Sequence, residues 1–198
     1  MADPSHDSIE FLNNDSNDVA FTVVENYKHD EKVGTKLTAQ FRYGKKYGDE
    51  TFFSTYWKPG EGEKIKAGSV NALVFICHGY CEYVGEAYDQ LAKQLSLQLG
   101  DGCLVFGHDH IGHGRTTVGD RAFVNEMDEF VGPIIAHVEA VQKWENCNAG
   151  NVPVFLVGHS MGGLISLFAL FKKQSLFQVG KYIFKSQIRN AAIILVPS

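Results

Sequence analysis

The stretch VPVFLVGHSMGG (residues 152–163) decides the fold of this chain. An apolar run over residues 154–157 leads into Gly158-His159-Ser160-Met161-Gly162, and a second apolar run follows over residues 164–171. This order predicts a strand, a sharp turn and a helix, the arrangement called a nucleophile elbow, G-x-S-x-G. Side chains at Gly158 and Gly162 would collide with neighbouring backbone. The turn places Ser160 at a helix N-terminus, where free N–H groups and the helix dipole favour negative charge, so Ser160 is a candidate nucleophile.

A second stretch supplies the context that the motif needs, since a bare G-x-S-x-G also occurs in ordinary glycine-rich turns. Residues 72–77 (ALVFIC) predict a fully buried strand, and His78-Gly79 follows at its end. Beside a nucleophile elbow, one oxyanion-hole N–H comes from the loop after such an early strand, and the other from the residue after the nucleophile. The candidate donors are the backbone N–H groups of Tyr80 and Met161. We expect His78 to be a structural loop residue rather than a base, because it precedes the serine and lies on the oxyanion side.

With these motifs in place, the chain resembles the monoacylglycerol lipase branch of the α/β-hydrolases. The residues that carry the resemblance are His78-Gly79, HDHIGHGRT (residues 108–116) and WENCNAGNVPVFLVGHSMGG (residues 144–163), and FFSTYWKP (residues 52–59) fits the second strand of that branch. The resemblance implies an α/β-hydrolase fold, with a mostly parallel sheet flanked by helices. It also implies hydrolysis of monoacylglycerols to a fatty acid and glycerol, while related branches act on lysophospholipids and other small esters.

The resemblance also implies a mechanism with missing parts. In the family, the serine attacks the ester carbonyl, a His takes its proton and an Asp orients the His, in the chain order Ser, Asp or Glu, His. No Asp, Glu or His follows Ser160, and all eight histidines lie at or before His159. We therefore expect the triad Asp and His, the C-terminal strands and the lid to be absent from this chain, which would be truncated after its sixth strand.

Two functional hypotheses follow from this pattern. The first is a serine esterase or lipase whose complete form hydrolyses monoacylglycerols through an acyl-enzyme on Ser160. The second is a non-catalytic truncated isoform, or a ligand-binding decoy with the same fold. The intact elbow and the intact oxyanion elements favour the first hypothesis.

Two segments depart from the family pattern. The family has small residues after the His-Gly pair, whereas this chain has Tyr80-Cys81-Glu82-Tyr83, and the Tyr80 phenol would narrow the acyl entrance. Residues 174–190 look like an insertion in the link between a helix and the next strand, and no function is assigned to them.

The His and Asp residues of HDHIGHG (residues 108–114) raise the question of a metal site. Alternate residues of an extended segment point to opposite faces, so these side chains would not converge on one ion. In the family this segment is a tight turn after the fourth strand. We predict a structural turn, no metal site and no cofactor.

Charge and cysteine content narrow the partners. The formal net charge is −5, and all 23 acidic residues precede Ser160. An acidic body argues against a nucleic-acid partner, because phosphate binding needs a basic face. The sequence has no signal peptide and no apolar run of about 18 residues, so we expect a cytoplasmic protein that contacts membranes only peripherally, through the missing lid. Cys77 and Cys103 lie in apolar runs, which predicts buried free thiols.

Along the chain we predict a disordered polar segment over residues 1–18 and one partial α/β-hydrolase domain over residues 19–198. Hydrophobic patterns predict strands over residues 19–24, 51–57, 72–77, 103–107, 154–157 and 191–196. They predict helices over residues 86–99, 129–144 and 160–173. Alternation of strands and helices favours a mostly parallel sheet with right-handed crossovers.

Overall fold

A computed structural model describes residues 10–11, 19–22, 28–30, 34–43, 50–58, 70–100, 102–143, 152–177 and 191–194. Within these residues the strands are β1 (Glu10–Phe11), β2 (Val19–Thr22), β3 (Lys28–Asp30), β4 (Gly34–Tyr43), β5 (Phe52–Lys58), β6 (Ala72–Cys77), β7 (Cys103–His108), β8 (Val154–His159) and β9 (Ala191–Ile194). The helices are α1 (Glu86–Leu99), α2 (Asp128–Lys143) and α3 (Met161–Lys172), and a short 3-10 helix spans Gln174–Leu176.

The described strands form one sheet in the order β1-β2-β4-β5-β7-β6-β8-β9, with β3 paired to β4. The central strand β6 pairs in parallel with both β7 and β8, and the other pairs are antiparallel. The parallel arrangement expected from the sequence is therefore found at the centre of the sheet. There the carboxyl ends of β6, β7 and β8 meet at one edge, and this edge carries the candidate site.

Helices cover both faces of the central strands. All six residues of β6 are buried, and they alternate between two hydrophobic clusters because side chains in a strand point to opposite faces. Leu73, Phe75 and Cys77 belong to the cluster that includes residues of α2 and α3. Val74 and Ile76 belong to the cluster that includes residues of α1. A sheet buried on both faces explains why this segment is a continuous apolar run rather than an alternating one.

Most predicted elements are present with small changes of boundary. The strand over residues 72–77 and the helix over residues 86–99 have the predicted bounds. β9 pairs antiparallel to β8, with Ala191 opposite His159. The ten-residue strand β4 was not predicted.

Two predicted segments fall largely outside the described residues. Of the predicted disordered segment over residues 1–18, the structure describes only Glu10–Phe11, which pair with β2. Of the apparent insertion over residues 174–190, it describes the short 3-10 helix and the buried Phe177.

The outer face of α3 is unusual because it is apolar. Ile165 and Ala169 face the core, and on the opposite side four large apolar residues are exposed, namely Leu164, Leu167, Phe168 and Phe171. A helix that is apolar on both faces is typical of a position with protein on both sides. In the part of the chain that the structure describes, no helix has the length and apolar character needed to cross a membrane.

Two cysteines lie within the central strands. Cys77 on β6 and Cys103 on β7 are buried free thiols, as predicted. Burial raises the pKa of each thiol to about 12. Both thiols are therefore protonated at neutral pH, and neither has the thiolate character of a reactive cysteine.

Candidate active site

Ser160 occupies the sharp turn between β8 and α3. Its backbone has φ 51° and ψ −117°, and its side chain is exposed. A positive φ is uncommon for a residue with a Cβ, and such a conformation costs of order 1–3 kcal/mol. The predicted strand, turn and helix are therefore present, with local strain at the serine.

The glycines on either side of Ser160 allow three elements to touch through their backbones. A Cβ on Gly162 would lie 2.0 Å from the carbonyl oxygen of Cys77, and a Cβ on Gly158 would lie 2.5 Å from the carbonyl carbon of Gly162. Neither contact leaves room for a methyl group. The two glycines thus let the first turn of α3 press against the end of β6.

The loop after β6 lies beside the elbow because β6 and β8 are neighbours, with Cys77 paired to Gly158. In this loop the Gly79 N–H donates to the Glu82 carboxylate at 2.8 Å. No hydrogen bond to the N–H of Tyr80 or of Met161 is found among the residues that the structure describes. Both predicted donors therefore belong to adjoining turns, and neither N–H is hydrogen-bonded to another described residue. The Tyr80 side chain is 58% exposed, and its hydroxyl donates to the carbonyl of Ala122 at 3.4 Å.

His78 is buried below this loop. Its Nε2 accepts the N–H of His110 at 2.8 Å, and its Nδ1 donates to the Gly79 carbonyl at the same distance. Burial lowers the pKa of His78 to about 4, so the imidazole is neutral at pH 7. These contacts give His78 a structural role in the loop.

The segment after β7 forms a turn organised by the Asp109 carboxylate. Asp109 is fully buried and accepts the N–H of Val84 and the N–H of Arg115, each at 2.8 Å. The Arg115 guanidinium lies 3.3 Å from the same carboxylate. Gly112 and Gly114 both have positive φ, which glycine adopts without strain. Burial raises the pKa of Asp109 against the opposing effect of Arg115 and the backbone donors. The carboxylate is engaged in holding the turn together.

A group of buried imidazoles lies next to this turn. The rings of His78 and His110 are 4.1 Å apart, and those of His108 and His137 are 5.3 Å apart. The Tyr56 hydroxyl contacts His137 Nε2 at 2.6 Å. Burial lowers the pKa of His137 to about 3 and those of His108 and His110 well below the usual range. Within the described residues, no cluster of three or more His, Cys, Asp or Glu side chains is arranged to hold a metal ion.

Glu82 is the residue of this region that sequence reasoning missed. Besides the Gly79 N–H, its carboxylate accepts the Tyr88 hydroxyl of α1 at 2.5 Å and lies 3.0 Å from the His159 imidazole of β8. The sequence showed Glu82 only as part of a departure from the family pattern. Its partner His159 is 77 positions away, and no local pattern indicates so distant a contact.

The site contains the candidate nucleophile and the two candidate N–H donors, but no base contacts the serine within the described residues. In the described part of the chain, no imidazole or carboxylate hydrogen-bonds the Ser160 hydroxyl. The imidazole nearest in sequence, His159, is engaged by Glu82. The arrangement fits nucleophilic chemistry at an exposed serine, with the proton acceptor still to be supplied.

Comparison with known proteins gives a family and several relatives. The profile of the family described as "Serine aminopeptidase, S33" (Hydrolase_4) matches residues 68–186. The chain is 40% identical over 125 residues to a monoglyceride lipase of Mus musculus, a match that covers 63% of this chain and 36% of the relative. A monoglyceride lipase of Rattus norvegicus is 42% identical over 126 residues, with the same coverage. The chain thus spans about a third of the length of the curated relatives that it matches.

Solved structures give the same architecture. A soluble variant of monoglyceride lipase from Saccharomyces cerevisiae, in complex with a substrate analogue, superposes with a TM-score of 0.52 at 23% identity. That match covers 79% of this chain and 42% of the other. Est1E from Butyrivibrio proteoclasticus, with bound ferulic acid, gives a TM-score of 0.53 at 17% identity and covers 67% of this chain and 48% of the other. At these identities the likeness concerns the fold.

Proposed function

Because the chain belongs to the serine aminopeptidase S33 family of α/β-hydrolases, and because its relatives in that family include monoglyceride lipases, we propose that it carries the nucleophile and oxyanion hole of a monoacylglycerol lipase. The family membership supports a lipase- or esterase-type hydrolase. The substrate, the acyl-enzyme and the roles of individual residues are the proposal. The observation that carries it is the exposed Ser160 at φ 51°, between two glycines that admit no side chain.

In the proposed reaction the Ser160 hydroxyl oxygen attacks the carbonyl carbon of the ester. The Tyr80 and Met161 N–H groups donate to the oxygen that becomes negatively charged in the tetrahedral intermediate. The intermediate collapses to an acyl-enzyme and releases glycerol, and water then releases the fatty acid. The serine proton must pass to a base, which in this fold is a His that follows the nucleophile in the chain. No His follows Ser160 in residues 161–198, and this step is assigned to no residue of that stretch.

The proposed substrate is a monoacylglycerol or another small lipid ester. The relatives' names support an ester with an acyl chain. The half-exposed Tyr80 phenol and the exposed Phe123 are apolar surfaces near the loop after β6, and they suit an alkyl chain better than a charged group. Tyr80 would act as a side wall that narrows the entrance.

A fluorophosphonate probe tests this proposal, because it reacts covalently with activated serines. We expect the protein isolated from its native source to acquire one adduct at Ser160, located by mass spectrometry of the peptides. The variant Ser160→Ala should acquire none. The control Cys81→Ala removes an exposed thiol of the neighbouring loop and should label like the wild type.

The alternative, a non-catalytic isoform or a ligand-binding decoy, makes the opposite prediction. It requires a folded protein that does not react with the probe, and the ligand-binding decoy should in addition bind a non-hydrolysable monoacylglycerol ether. Measurement of the intact mass in the same sample shows whether the native protein extends beyond Ser198. A native protein without residues beyond Ser198 and without an adduct would contradict the proposed function.

A further inference from the structure

Glu82 lies where three elements of the candidate site meet. Its carboxylate contacts the Gly79 N–H in the loop after β6, the Tyr88 hydroxyl on α1 and the His159 imidazole at the end of β8. The packing is close, since a Cβ on Gly79 would lie 3.0 Å from both Glu82 Oε2 and His159 Nδ1. Three donors from three elements therefore converge on one side chain.

Two of the partners of Glu82 directly precede the proposed reacting residues in the chain. Gly79 immediately precedes Tyr80, whose N–H is one proposed oxyanion donor. His159 immediately precedes Ser160, the proposed nucleophile. One carboxylate thus holds the residue before the donor and the residue before the nucleophile. Any movement of the loop relative to the elbow would have to break one of these two contacts.

The carboxylate is ionised at neutral pH. Partial burial raises the pKa of Glu82, but the hydrogen bonds from Tyr88, Gly79 and His159 lower it by more, so the pKa lies below its usual range. Hydrogen bonds to an ionised acceptor are about twice as strong as those between neutral groups. The contact to Gly79 is therefore stronger than an ordinary loop hydrogen bond.

We propose that Glu82 is a positioning residue that fixes the loop after β6 against the elbow, and so sets the Tyr80 and Met161 N–H groups on the same side of Ser160. This inference rests on the proposed function only for its effect on reactivity. The link between the Gly79 loop and the elbow is a property of the fold and is measurable without any reaction.

Amide NMR spectra of the isotope-labelled 198-residue protein test the link directly. In Glu82→Gln the Gly79 amide proton should move upfield, because it loses a charged acceptor, and the Met161 amide should move with it. The matched control is Glu86→Gln. Glu86 is also a carboxylate that accepts a tyrosine hydroxyl, that of Tyr83 at 2.9 Å, but it contacts neither Gly79 nor the elbow.

Tyr88→Phe provides a second variant in case Glu82→Gln folds poorly. It keeps the carboxylate and the ring but removes one donor. Because the charged acceptor is then shared by fewer donors, we expect a smaller shift of the Gly79 amide proton, in the downfield direction. If the Gly79 and Met161 amides are unmoved in Glu82→Gln, or move equally in Glu86→Gln, the proposal is wrong.

Reactivity gives the second readout. Where the wild type reacts with the fluorophosphonate probe, Glu82→Gln should react about tenfold more slowly, and Glu86→Gln within about twofold of the wild type. An unchanged rate in Glu82→Gln, with the wild type reacting, would overturn the positioning role. A wild type that does not react contradicts the proposed function instead, and the amide shifts then decide the link by themselves.

Discussion

Two turns leave the same edge of the sheet and are built in opposite ways. The Asp109 turn (residues 109–116) follows β7, and the elbow (residues 158–162) follows β8. In the Asp109 turn the positive φ values fall on glycines, and a buried carboxylate satisfies the backbone donors. In the elbow the positive φ falls on Ser160, and the Met161 N–H has no partner in the described part of the chain. The first turn stabilises the fold, whereas the second holds backbone strain and the Met161 N–H donor at the candidate site.

The largest expected effect is a loss of stability in acid, caused by the buried imidazoles next to the Asp109 turn. His78, His108, His110 and His137 are buried and neutral, with pKa values below that of an unfolded histidine, near 6.5. Below pH 6.5 the unfolded chain takes up protons that the folded protein cannot, so stability falls as pH falls. Each histidine contributes up to about 1.4 kcal/mol per pH unit, and the four together up to about 5.6 kcal/mol per unit until the folded pKa is reached, about 4 for His78.

Urea unfolding between pH 7.5 and pH 5 measures this slope. The variant His110→Phe replaces one titrating ring by an apolar one and should reduce the slope by about 1.4 kcal/mol per pH unit. A free energy of unfolding that stays constant from pH 7 to pH 5 would show that the buried imidazoles do not govern stability.

Removal of the Asp109 carboxylate should also lower the free energy of unfolding, by nearly as much. Asp109→Ala leaves the Val84 and Arg115 N–H groups without their acceptor and removes the carboxylate beside the Arg115 guanidinium. We expect a loss of about 3–5 kcal/mol in the free energy of unfolding at pH 7.5. The control Asp120→Ala changes an exposed carboxylate nearby and should cost less than about 0.5 kcal/mol. Similar losses in the two variants would mean that Asp109 does not organise the turn.

Relief of the backbone strain in the elbow should instead raise the free energy of unfolding, and by a smaller amount. Ser160→Gly allows the observed φ of 51° without a Cβ, so we expect the free energy of unfolding to rise by about 1–2 kcal/mol. Ser160→Ala keeps the Cβ and the strain, and should change stability by less than about 0.5 kcal/mol. Thermal unfolding of the two variants side by side measures the difference. If glycine destabilises the protein, the elbow is not strained.

The α/β-hydrolase fold was predictable from the sequence and is confirmed, and the chain belongs to the serine aminopeptidase S33 family, with monoglyceride lipases among its relatives. The reason is local. Residues 72–77 form a continuous apolar run because both faces of β6 are buried. The glycines of G-x-S-x-G are visible in the sequence, and a side chain at either position would collide with backbone.

The features that were missed depend on distant contacts. β4 has a mixed sequence, GTKLTAQFRY, and is held as a strand by its antiparallel register with β5. The antiparallel pairing of the outer strands was not indicated by the sequence pattern, because strands joined by turns lack the helical crossovers that mark parallel pairs. Glu82 was missed for the same reason. Its partner His159 is 77 positions away in the sequence, and no local pattern indicates that contact.

The strand order has a consequence for synthesis. β5 and β6 follow each other in the chain, but β7 lies between them in the sheet. When synthesis has passed Cys77, both β5 and β6 are complete, but they are not neighbours in the sheet. They must wait for Cys103–His108, which takes a few seconds at about 5–20 residues per second. During that interval the apolar β6 has neither of its partner strands, β7 and β8, and its backbone groups are unpaired.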